Sequence, residues 1–161
     1  MLKLNIMIGA VLTCLTQMPA PAQDTISSLS QSIQGSWIVQ MTDATGNVNL
    51  FELGTFSADG SYSGVNVTGS HSLHKGVWIR TGDRKFVMTV VFFTRDALGV
   101  FNGIVKARIY LTLAEDLKSY DSLAERIVMD TSGKELSFTP GIAGHAVRMD
   151  VEFPKSAPPQ D

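Results

Sequence analysis

Thiol chemistry is almost missing from this chain: of its 161 residues only Cys14 is a cysteine. A disulfide within the chain is therefore excluded, and packing and hydrogen bonding must hold the fold unaided. Charge is also scarce, at 17% of residues against 44% hydrophobic, with a net charge of −2. That balance belongs to a packed globular chain rather than a disordered one, and 161 residues suffice for one domain. Lys and Arg are scattered without a basic run, which argues against nucleic acid and anionic membrane surfaces as partners. No apolar run reaches the roughly 20 residues that a membrane-spanning helix needs. Gly-x-Ser-x-Gly nucleophile motifs and phosphate-cradling glycine loops are absent, and no motif implies a cofactor. His71 and His74 stand in a polar stretch without acidic or cysteine neighbours at ligand spacing, so no metal site is expected.

What is present begins with an export pattern. Lys3 supplies a positive start, Ile6 to Leu15 an apolar run, and Ala20-Pro21-Ala22 a small-x-small cleavage site before Gln23. Residues 1–22 thus read as a cleaved signal peptide, and the mature chain as secreted or periplasmic. Cys14 lies inside this signal, and the preceding Val11-Leu12-Thr13 is a poor match to a lipoprotein site. Asn66-Val67-Thr68 is a glycosylation sequon, relevant only in a host that glycosylates secreted proteins.

After the export region, Ile26, Leu29 and Ile33 fall three and four apart, predicting a short helix over 23–34. Asp24 or Thr25 would cap it and Gly35 would end it. From Gly35-Ser36-Trp37 onward the helical period disappears. Strand candidates follow at 36–42, 48–57, 61–67, 75–81, 85–95, 103–113, 121–130, 134–138 and 144–153. Short turn-forming stretches separate them, such as Ala58-Asp59-Gly60 and Thr131-Ser132-Gly133, while Pro140-Gly141 breaks the pattern before the last. Residues 154–161 (PKSAPPQD) read as a disordered tail.

Eight or nine strands on short connections leave no room for crossover helices, so the sheet should be an antiparallel meander. Closing on itself would remove its exposed edges. In 103–113, Val105, Ala107, Ile109, Leu111 and Leu113 oppose Lys106, Arg108, Tyr110 and Thr112. In 144–153, Val147, Met149, Val151 and Phe153 oppose Arg148, Asp150 and Glu152. One dry and one wet face per strand is what a water-soluble barrel requires. Strand 85–95 departs from this, with Phe86, Met88, Val90 and Phe92 on one face and Val87, Val91 and Phe93 on the other. Its outer face calls for a cover, either another part of the chain or a second subunit in a homodimer.

A short helix before Gly35-Ser36-Trp37, a hairpin meander, and Arg148 on the last strand together resemble the lipocalins and the wider calycin group. Small exported bacterial lipocalin-like domains are similar as well. The resemblance spans roughly residues 24–153. It implies an all-β, antiparallel up-and-down β-barrel with a short N-terminal helix, and Arg148 packed over Trp37 as a structural clamp. The chain departs from the group in lacking its late-strand Thr-Asp-Tyr-like motif, having only Ser119-Tyr120-Asp121, and in lacking its disulfide.

The leading expectation is a small hydrophobic ligand in the barrel interior, lined by Trp37, Phe56, Trp78, Phe92 and Ile109, since aromatic rings offer large contact area. A second is a cofactor-free isomerase or cyclase resembling allene oxide cyclase-type calycins. Alternation puts Glu125 with Leu123, Ile127 and Met129, and His145 with Val147 and Met149, making these two the catalytic candidates. The other reading has His145 solvated at a barrel mouth and Glu125 paired with Arg126 or Lys106 on a rim. Glu52 likewise falls among Leu50 and Phe56, and a carboxylate in an apolar cavity could trade protons with a nearby histidine. A third expectation is a protein-binding inhibitor acting through residues 23–34.

Overall fold

The computed structural model describes residues 33–42, 47–152 and 154–155. The export region at 1–22, including Cys14, most of the helix candidate at 23–34 and most of the tail lie outside them. Eight strands follow in order: β1 (Gly35–Thr42), β2 (Val48–Phe56), β3 (Ser61–Asn66), β4 (His74–Gly82), β5 (Lys85–Arg95), β6 (Phe101–Leu113), β7 (Ser119–Met129) and β8 (Glu135–Arg148). Each pairs antiparallel with its neighbours, and β8 pairs back onto β1 to close the barrel. Tight turns make this meander. Gly60 takes φ 82° and Asp59 Oδ1 accepts the Ser61 amide at 2.9 Å, closing the β2–β3 hairpin.

The nine-strand count fails at one place. Segments 134–138 and 144–153 were expected as separate strands, but β8 runs unbroken from Glu135 to Arg148. Pro140 and Gly141 form a bulge instead of a break. Ala124 pairs with Ile142 and Arg126 with Thr139, so two residues of β8 oppose one of β7, and Gly141 takes φ 74°. Strand β8 ends at Arg148, the Met149 amide still donates to the Ser36 carbonyl at 2.9 Å, and Met149 and Val151 are exposed rather than inward.

One end of the barrel is solid. Trp37 is fully buried and meets Tyr120 edge-on at 4.8 Å, while Phe56 packs on Tyr62 at 4.9 Å and Trp78 at 5.9 Å. Such pairs contribute roughly 0.5–1.5 kcal/mol beyond their buried area. Arg148 covers this floor, its guanidinium carbon 4.3 Å from the Trp37 ring centre. It also donates to the carbonyls of Gln34 at 2.6 Å and Leu117 at 2.8 Å, tying together strands at opposite ends of the sequence. Gly35 makes room for it. Its φ of 121° suits glycine, and a Cβ there would stand 2.9 Å from Arg148 Nη1.

The second apolar face of β5 is on the outside of the barrel with no described element over it. Val91 is 36% and Phe93 50% exposed, and Phe93 meets Phe101 edge-on at 5.6 Å. Among the described residues no helix is long and apolar enough to cross a membrane.

Candidate functional site

The other end of the barrel is hollow. A cavity of about 370 Å³ runs down from the mouth, where Arg126, Pro140 and Gly141 are exposed, to Leu111, Tyr62 and Tyr120 at its base. Its walls are mostly apolar, including Val39, Met88, Val90, Phe92, Val105 and Ile109. The space exists because β7 turns small side chains inward. Ser122 and Ala124 line the cavity on that strand, and on neighbouring β8 Ala146 is fully buried.

One wall is polar and buried. Glu52 on β2 is 4% exposed and His74 at the start of β4 is 3% exposed, and both line the cavity. His74 Nδ1 lies 3.0 Å from Glu52 Oε2, and the Tyr62 hydroxyl donates to Glu52 Oε1 at 2.8 Å. Asn66 continues the chain. Its Oδ1 accepts from the Thr68 amide at 3.1 Å and the Thr68 hydroxyl at 2.8 Å, so its Nδ2 faces the histidines. That amide donates to His71 Nδ1 and approaches His74 Nε2 at 3.4 Å. The His74 contact to Glu52 is made through Nδ1, so a proton carried on that nitrogen is donated to the carboxylate.

The sheet is thinned to admit this cluster. A Cβ on Gly54 would collide with the Tyr62 phenol and one on Gly64 with the Glu52 carboxyl group. Residues 67–73 are then pinned along the end of β5. The Ser72 amide donates to the Phe93 carbonyl at 2.8 Å and the Arg95 amide to the Ser70 carbonyl at 2.9 Å. This sets His71 over Phe92, ring centres 4.6 Å apart, while His74 stacks on the same ring at 4.0 Å. Burial, reinforced by the nearby His74 and Arg126, pushes His71 below the ordinary histidine pKa. Burial and the charge of Glu52 hold the Tyr62 and Tyr120 hydroxyls far above the ordinary phenol range, so both stay protonated. Among the described residues, no three His, Cys, Asp or Glu side chains gather as a metal would need.

The chain matches no family model, no curated protein and no solved structure.

Of the side chains expected to line a ligand, Phe92 and Ile109 do line the cavity. Trp37, Phe56 and Trp78 are packed into the solid floor below it. Glu125 and His145 point away from the interior. Glu125 faces Arg108 at 3.7 Å on the outer surface, and His145, half exposed, contacts Asp121 at 2.8 Å. The inward parity on β7 and β8 is the reverse of the one their large apolar residues predict, although Ile127 is buried. Leu123 and Val147 looked inward because they are large and apolar, yet they are 53% and 49% exposed. Around the cavity the inward positions include Ser122, Ala124 and Ala146, which carry little hydrophobic signal, beside Tyr120 and Ile142. The segment to which inhibition was ascribed, 23–34, is described only at Ile33 and Gln34.

Proposed function

We propose that the barrel binds a small, mainly apolar molecule carrying one polar group, with its body against Phe92, Val90 and Ile109 and its polar group toward the Glu52–His74 wall. The observation that carries this is the cavity itself. A volume of about 370 Å³ lies within the range of small-molecule sites, which are typically apolar with a few convergent polar groups. A barrel built only for stability would fill this space, since empty apolar volume destabilises a fold. The same reading takes the protein as an exported, lipocalin-like carrier or enzyme, supported by the positive, apolar and small residues in order over 1–22.

The test is direct. Protein extracted gently from its native host should carry a co-purifying apolar compound detectable by mass spectrometry, and the stripped protein should take up N-phenyl-1-naphthylamine with a rise in fluorescence. Ala124→Trp, which fills the cavity from β7, should weaken probe uptake at least about tenfold, the loss expected for a blocked pocket. Protein that is clean from its host and also excludes the probe would remove the reading.

A further inference from the structure

We propose that Glu52 and His74 form an acid–base pair that moves a proton on the bound molecule, the substrate class being an enolisable ketone or its β,γ-unsaturated relative. The inference rests on the cavity reading above and adds chemistry to it.

Three observations carry it. First, both side chains are buried from bulk water yet line the cavity, which puts the pair beside a bound molecule. Second, the hydrogen bonds order the imidazole. Glu52 accepts a hydrogen bond from Nδ1 at 3.0 Å, which fixes the ring and favours the imidazolium that forms when Nε2 accepts a proton. The contact from Asn66 to Nε2 is long at 3.4 Å, leaving that lone pair open to a ligand. Third, the arrangement is built rather than incidental. Side-chain-free positions at Gly54 and Gly64 are what let the phenol and carboxyl group enter the wall. A buried cluster serving stability alone could be replaced by apolar side chains at little loss.

In the step proposed, His74 Nε2 takes a proton from the carbon beside the ketone carbonyl. The C–H electron pair forms a C=C bond, and the carbonyl π pair moves onto oxygen to give an enolate. Tyr120 at the base of the cavity or Arg126 at its mouth would supply a donor to that oxygen, according to which end the carbonyl faces. The proton then returns from His74, either to the same carbon or, in a β,γ-unsaturated ketone, to the γ-carbon, bringing the double bond into conjugation. Nothing is oxidised or reduced, and no co-reactant enters.

The probe is 2-tetralone, an apolar ketone with enolisable C–H bonds, held with the whole protein in deuterated buffer. Binding is read by saturation-transfer NMR and exchange by loss of the α-proton signal. Wild-type protein should exchange the α-protons about a hundredfold faster than Glu52→Gln or His74→Gln, the scale on which a positioned general base acts. The apolar walls are kept in both variants, so exchange is compared at equal occupancy after any loss of affinity is measured, with near-ultraviolet circular dichroism confirming that they fold. If wild type and His74→Gln bind 2-tetralone but exchange it equally, the acid–base inference is overturned while the cavity reading stands. If 2-tetralone and 3-cyclohexenone both fail to bind a wild type that takes up N-phenyl-1-naphthylamine, the ketone class and this inference are overturned while the cavity reading stands. A measurement free of variants completes the test. Nitrogen-15 NMR of the ligand-free protein should find the His74 proton on Nδ1, and a proton on Nε2 would overturn the proposed direction of transfer.

Discussion

At the Trp37 end of the barrel the inward positions carry Trp37, Phe56, Trp78, Phe86 and Tyr120, all buried, while at the His74 end they carry Ala107, Ser122, Ala124 and Thr139 around open space. Both ends are made by the same eight strands with the same alternation. The difference lies in side-chain volume. Large rings at the floor interlock and bear the stability, and small residues nearer the mouth leave room that the Glu52–His74 wall then faces. A barrel can thus divide stability and binding along its axis without a change of fold.

The comparison breaks most readily at the floor. Trp37→Ala should lose about 3–5 kcal/mol in urea unfolding, as expected for removing a fully buried tryptophan. Phe92→Ala, on the half-buried cavity wall, should lose about 2 kcal/mol or less, because its ring already borders empty space. Equal losses would mean that the two ends are not divided as described. Next in size, Gly64→Ala should destabilise by about 1–3 kcal/mol, since the added methyl meets the Glu52 carboxyl group. The same variant should detach His74 from Glu52, seen as a changed histidine chemical shift, whereas a floor variant should leave that signal alone.

Acid should also separate the ends. His71 has its folded pKa held below the ordinary value, first by burial and then by the nearby His74 and Arg126, so over that interval the unfolded chain binds the extra proton. Stability should therefore rise with pH across this interval and fall as pH drops below about 6.5. His71→Asn should flatten this part of the pH profile in thermal melts, and an unchanged profile would remove His71 as its source. The smallest effect belongs outside. Phe93→Lys, at a side chain 50% exposed, should shift stability by no more than about 0.5 kcal/mol. A larger loss, accompanied by a change in sedimentation, would show that β5 is covered in solution by a second copy.

Much of the scaffold could be read from residues alone. Turn chemistry at Asp59-Gly60 and Ser132-Gly133 marks hairpins, and the alternation in 103–113 correctly assigns Val105, Ile109, Leu111 and Leu113 to the interior. The site was legible only in fragments. Glu52 stood out as an acid among apolar neighbours, but its partner did not. His74 shares inward parity with Gly76 and Trp78, a signal masked by the polar residues just before it. Nothing in the sequence links Tyr62 to Glu52, and the need for Gly54 and Gly64 emerges only when β2 and β3 are paired. Glu125 was misplaced for the opposite reason. Hydrophobic size marks a packed interior, and this interior is deliberately underfilled at that level.

The clasp between Arg148 and the start of β1 has a bearing on when this fold can exist. Its hydrogen bond to Gln34 joins residues 114 positions apart, and the β1–β8 seam joins strands from the two ends of the barrel sequence. Seven hairpin pairings can form in order as the chain emerges, but the eighth must wait for Ala146 and Arg148. Until then Trp37 lacks its cover and β1 offers an unpaired edge. Folding should accordingly be slow and all-or-none, as contacts of high sequence separation dictate. A chain stopped short of β8 should be recognised as an open sheet, prone to pair with others of its kind.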